Sequence, residues 1–87
     1  MRKRVVVHGY VQGVFFRDSL RRLAVREDVA GWARNRLDGT VEAVFEGPAE
    51  GVERLVAFAR RGPHGATVER VEIFEEEHEG LSGFNIG

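Results

Sequence analysis

RVVVHGYVQGVFFRDSLRRLAVRED, residues 4–28, contains the change of hydrophobic period on which the fold turns. Arg4 to Tyr10 opens it with three consecutive valines, β-branched residues that suit a pleated strand. Apolar side chains on both faces predict an inner strand, covered at least in part on each side. Gly9 to Gly13 then gives the backbone freedom at two points. From Asp18 to Asp28 the spacing becomes helical. Phe16, Leu20, Leu23, Ala24 and Glu27 fall on one stripe, and Arg21, Arg22 and Arg26 fall opposite.

Downstream, Ala30 to Asn35 reads as a strand around Trp32, and Leu37-Asp38-Gly39 is a turn signal. Thr40 to Glu46 alternates, with Val41, Ala43 and Phe45 on one face and Thr40, Glu42 and Glu46 on the other. Gly47-Pro48 breaks that strand and can open a second helix. Val52, Leu55, Val56 and Ala59 supply its apolar stripe, and Gly62-Pro63 closes it. Thr67 to Glu75 is a strand whose alternation slips near Glu69-Arg70, which predicts a bulge. Glu75-Glu76-Glu77 reads as a solvated edge or turn. Phe84 to Ile86 can pair as a short fifth strand. The order β-α-β-β-α-β predicts an α+β, ferredoxin-like sandwich: an antiparallel sheet with two helices on one face. Residues 1–87 form one domain.

Composition narrows the chemistry. The formal net charge is -1, with 13 basic against 14 acidic residues, which argues against a polyanion partner such as nucleic acid. There is no cysteine, so disulfides, thiolate metal sites and a cysteine nucleophile are excluded. No apolar run approaches the ~20 residues of a membrane helix, and the start MRKRVVVHGYV lacks the apolar stretch of a signal peptide. A cytoplasmic protein, monomeric by default, is expected. Only Lys3 among the basic residues is lysine. His8, His64 and His78 have no metal spacing. His8 reads as structural, while Asp28 and Asp38 read as helix-end and turn residues.

The chemistry concentrates in HGYVQGVFFR, residues 8–17. A glycine-containing loop between strand and helix can converge backbone N–H groups on an anion, and the helix N-terminus adds partial positive charge. Arg17 sits at that positive end, where a bound phosphate would turn an electrostatic conflict into attraction. Taken alone, Arg17 is an ordinary solvated first-turn residue, and the loop around it shifts the weight. In GWARNRLDGTVE, residues 31–42, Asn35 stands where a strand meets a turn. It is either a turn former or an amide that holds a water by both donating and accepting. Phe15 and Phe16 invite an aromatic nucleic-acid reading, but Phe16 belongs to the helix stripe.

Together the two stretches resemble the acylphosphatase family. The first resembles its signature Gly-x-Val-Gln-Gly-Val-x-Phe-Arg, and the second its Gly-Trp-x-x-Asn followed by Asp-Gly and Val-Glu. The likeness continues through EGP (46–48), ARRGPHGATVERVE (59–72) and SGFNI (82–86). The resemblance implies hydrolysis of acyl phosphates such as acetyl phosphate, carbamoyl phosphate and 1,3-bisphosphoglycerate, without metal or organic cofactor. It implies that Arg17 binds the phosphate and Asn35 orients the attacking water. Val11, Gln12, Gly13, Val14, Phe15 and Phe16 would then line the phosphate loop and supply its backbone donors, with inorganic phosphate as product inhibitor.

Two other readings compete with this one. A ferredoxin-like RNA binder needs aromatics on its central strands, where this chain carries valines. The other is an acylphosphatase-like domain that binds phosphate without turnover; the presence of both Arg17 and Asn35 argues for activity instead.

Overall fold

The fold was analysed in a computed structural model that describes residues 1–87. The elements are β1 (Arg2–Tyr10), α1 (Phe16–Arg26), β2 (Ala30–Asn35), β3 (Val41–Glu46), α2 (Ala49–Arg61), β4 (Thr67–Glu75) and β5 (Phe84–Ile86). The sheet order is β4-β1-β3-β2-β5. β1 is an inner strand, as its valines predict, and β3 occupies the middle.

Both helices pack on one face of the sheet. Val5 and Val7 of β1, Ala33 of β2 and Val41, Ala43 and Phe45 of β3 point into a single core. Phe16, Leu20 and Ala24 of α1 meet them there, with Val52, Leu55, Val56 and Ala59 of α2. The Phe16 and Phe58 rings meet edge to face at 6.3 Å and join the helices. The apolar stripes read from spacing are therefore the faces that are buried.

Four strands pair antiparallel, but β5 runs parallel to β2, so the sheet is mixed rather than antiparallel throughout. The reason is the return path. The chain leaves β4 at one edge, crosses the open face through residues 76–83, and enters at the opposite edge beside β2. The bulge falls where the alternation slips: His8 pairs with Arg70 and Gly9 with Val68, leaving Glu69 unpaired. A side chain at Gly9 would place its Cβ 2.1 Å from the Thr67 carbonyl oxygen, so the bulge closes only on glycine. α1 begins at Phe16, two residues before the predicted start. The backbone turns at Phe15, and Phe16 enters the core with the helix already formed.

The open face departs from the sequence reading. Every β3 residue is buried, including Glu42 and Glu46 on the face away from the helices. Arg4 and Arg34 bracket Glu42, at 3.3 and 2.7 Å. Nor is Glu76 a solvated edge residue: it accepts from Arg4 Nε at 2.8 Å and Arg2 Nε at 3.1 Å. The Arg4 hydrogen bond, more than any other contact, holds the Glu76 carboxyl below its usual range. Local patterning could not reveal this, because β1–β4 pairing is what brings Arg2 and Arg4 to the exit of β4.

Glu46 anchors the crossing segment. Its carboxylate is 2% exposed and accepts the backbone N–H groups of Glu79, Gly80 and Leu81 at 2.7–2.8 Å, with Arg2 at 3.3 Å. Burial by itself would raise its pKa. The N–H groups of Glu79 and Leu81, Arg2 and the Gly80 N–H overcome that and hold it at about 2. A carboxyl lowered from 4.5 to about 2 on folding contributes stability that is complete above the unfolded value and lost as pH falls through the folded one. Glu46→Gln is therefore expected to flatten the loss of stability between pH 4.5 and about 2 in thermal melts. At neutral pH it should lower Tm by on the order of 10 °C, because Arg2 loses its charge partner and an NH2 group replaces one of the two oxygens that accept from Arg2 and the three N–H groups.

Candidate active site

Six residues of the first motif form the turn from β1 into α1 and its first helical position. Gly13 has φ +74° and Phe15 has φ +59°, two left-handed positions separated by one residue. Such alternation folds successive N–H groups into a concavity suited to an anion. The N–H groups of Gly13, Val14 and Phe15 donate to no group in the protein. The N–H groups of Phe16, Arg17 and Asp18, which open α1, have no i−4 partner, and no side chain caps them.

Val11, Gly13, Phe15, Phe16, Arg17, Asp18, Asn35 and Ile86 line a pocket of about 320 Å³. Two residues singled out in separate motifs thus face one cavity, Arg17 from the first turn of α1 and Asn35 from the end of β2. The Arg17 guanidinium donates to the Gly87 carbonyl oxygen, just past β5, and no carboxylate side chain neutralises it. Asp18 also lines the pocket, but its two carboxylate oxygens reach outward to Arg21 and Arg22, each at 3.0 Å. The Asn35 side chain is exposed and makes no hydrogen bond within the protein, leaving its donor and acceptor free.

The rest of the predicted loop divides by role. Val11 and Phe16, 1% and 2% exposed, are core residues whose edges reach the pocket, and Val14 packs against the core. Gln12 turns away from the cavity. Its amide Nε2 donates to the carbonyls of Arg36 at 2.8 Å and Thr40 at 3.0 Å, tying the loop to the turn that follows Asn35. That turn is braced by Asp38, which accepts from Thr40 Oγ1 at 2.6 Å and Thr40 N at 3.0 Å. These two Thr40 bonds, the hydroxyl first, lower the Asp38 pKa. His8 lies outside the pocket, 2.7 Å from Glu72, and its hydrogen bond is the largest cause of a lowered Glu72 pKa. No group of three or more His, Asp or Glu is arranged to hold a metal ion.

The sequence reading missed the Gln12 tether and the contribution of β5. Gln12 carried no signal beyond its place in the motif. Ile86 and Gly87 reach the site only through the parallel pairing of β5.

Comparison with known proteins identifies the relatives of this fold. A sequence model of the acylphosphatase family matches residues 3–86. An acylphosphatase of Gloeobacter violaceus is 50% identical over 86 residues, covering 99% of this chain and 92% of its own. One of Rubrobacter xylanophilus is 55% identical over 86 residues, covering 98% and 78%. The crystal structure of acylphosphatase from Bacillus subtilis superposes with a TM-score of 0.93 at 33% identity, covering 99% of this chain and 97% of that one. The chain belongs to the acylphosphatase family, hydrolases whose activity is the hydrolysis of acyl phosphates.

Proposed function

We propose that in this chain the phosphoryl group of an acyl phosphate rests in the loop 11–16, with Arg17 and Asn35 as the catalytic side chains. The observation that carries the reading is the convergence of an arginine, unpaired loop N–H groups and a free amide on one pocket. The N–H groups and the guanidinium fork take the phosphoryl oxygens. The Asn35 amide holds one water, accepting a hydrogen bond from it and donating one to it, without removing its proton. That water attacks phosphorus in line. The bond from phosphorus to the bridging oxygen breaks, and the carboxylate departs with its electron pair. Because a carboxylate has a pKa near ~4, it leaves without a proton. The proton of the attacking water passes to a phosphoryl oxygen. A loose transition state asks for position and charge stabilisation more than for an acid or a nucleophile.

The test is release of inorganic phosphate from acetyl phosphate and benzoyl phosphate by the purified protein. A phosphate monoester, with an alkoxide leaving group, should be hydrolysed at least about a hundredfold more slowly, in keeping with the size of the general-acid contribution it lacks here. Inorganic phosphate should inhibit competitively. Binding of phosphate without turnover of either acyl phosphate would reduce the chain to a phosphate-binding domain. Activity is expected to survive excess EDTA and to gain nothing from added Mg²⁺ or Zn²⁺. Loss on chelation with rescue by either ion would replace the water-and-amide mechanism.

No helix is long and apolar enough to cross a membrane. With its helix stripes buried in one core, the chain is proposed to act as a cytoplasmic monomer, a state that light scattering measures.

A further inference from the structure

Phe15 is the least expected residue of the site. A bulky side chain at φ +59° is held against its own sterics. The residue is also 80% exposed, so burial does not compensate for the strain. Six large apolar side chains are exposed in this chain, and Phe15 alone among them lines the pocket. Of the four apolar lining residues, Val11 and Phe16 are already committed to the core. Phe15 and the half-buried Ile86 are the two with apolar surface left to offer. They stand on the same cavity as Arg17 and Asn35, one in the loop and the other on β5.

We infer that Phe15 and Ile86 form an apolar lip that receives the acyl group, so that this chain favours acyl phosphates with aromatic or branched apolar acyl groups over acetyl phosphate. The inference rests on the reading of the loop as the phosphate site. With the phosphoryl group fixed among N–H donors and Arg17, the acyl group is attached through one bridging oxygen and must lie beside the cradle. An aromatic ring there would remove Phe15 surface from water and gain ring–ring contact. A methyl group offers little of either. Strain of this kind persists where surrounding structure enforces it, and it clusters at ligand clamps. Here the same turn that presents the N–H groups presents the ring.

The experiment compares phenylphosphonate with methylphosphonate in a binding titration, and benzoyl phosphate with acetyl phosphate in turnover. The proteins are wild type, Phe15→Asn, Phe15→Leu and Ile86→Ala. Asparagine tolerates the left-handed conformation and removes the apolar surface, whereas leucine keeps most of that surface. Wild type is expected to prefer phenylphosphonate by roughly tenfold. Phe15→Asn should shrink that preference to about twofold and Ile86→Ala should narrow it, while Phe15→Leu retains most of it. The benzoyl-to-acetyl ratio of kcat/KM should fall in parallel. Using ratios cancels both the intrinsic reactivities and any general damage to the loop. A wild type that hydrolyses acyl phosphates yet binds both phosphonates equally overturns the lip alone. So does a preference that Phe15→Asn leaves intact. A wild type that binds neither phosphonate and hydrolyses neither substrate overturns the phosphate site and the lip with it.

Discussion

Asn35→Ala is expected to fold as wild type, keep its affinity for inorganic phosphate and lose kcat by on the order of 10²-fold. The geometry separates these three outcomes. Asn35 ends β2 and is held there by the antiparallel ladder, in register with Val41. Its side chain is exposed and bonded to nothing, so removing it should change stability by no more than about 0.5 kcal/mol. The turn beyond it is braced by Asp38, Thr40 and Gln12, none of which bonds the Asn35 amide. The phosphate donors lie in another element, so the anion should bind as before. What the mutant loses is orientation of the attacking water. That is an interaction of the transition state, and kcat and kcat/KM should fall together. A denaturant melt, a phosphate titration and a single-turnover assay measure the three outcomes. A folded, phosphate-binding mutant with a near wild-type rate would remove Asn35 from the mechanism. An unfolded one would make it a turn residue.

Arg17→Ala should damage both binding and turnover, since in the proposed site the phosphoryl oxygens meet the guanidinium before and during transfer. Loss of such a donor in comparable sites costs about 10²–10³-fold in rate. A charge-assisted hydrogen bond is worth about 1.5–3 kcal/mol, which sets the expected loss of phosphate affinity at roughly 10- to 100-fold. In wild type, phosphate at a hundredfold excess over Kd should raise stability by about 2.7 kcal/mol, a Tm shift on the order of 10 °C in a chain of this size. At the same concentration an Arg17→Ala mutant roughly 10- to 100-fold weaker in affinity should keep only about 1.4 to 0.4 kcal/mol of that stabilisation. Arg17→Lys should recover little, because an ammonium cannot reproduce the planar fork. Equal stabilisation of wild type and Arg17→Ala by phosphate would place the anion elsewhere. The bond from Arg17 to the Gly87 carbonyl gives the fork a fixed bearing, so the mutant also frees that carbonyl. The thermal shift is read against each protein's own phosphate-free melt, which separates the two effects.

The element order was written in local sequence. Three valines in β1, the stripe from Phe16 to Ala24 and the stripe from Val52 to Ala59 each declare a period and a buried face within a dozen residues or so. The slip at Glu69 declared its bulge in the same way. Arg17 was legible for a related reason, and Asn35 through the resemblance of its motif to the family's second signature. A loop that cradles an anion is built from consecutive backbone groups, so its glycines, its helix start and its arginine lie together in one run of chain. What local sequence could not express was any pairing between distant segments. The parallel docking of β5 follows from the route of residues 76–83 across the open face, and Glu46 pins that route through N–H groups some 35 residues further on. The carboxylates of β3 and Glu76 are drawn out of water by arginines on neighbouring strands. Gln12 fastens the loop between β1 and α1 to the turn beside Asn35, and Ile86 completes the pocket. Side-chain identity and spacing record which face of an element is apolar. Which polar group meets which across the sheet depends on register and crossing path, and those are settled only when the whole chain packs at once.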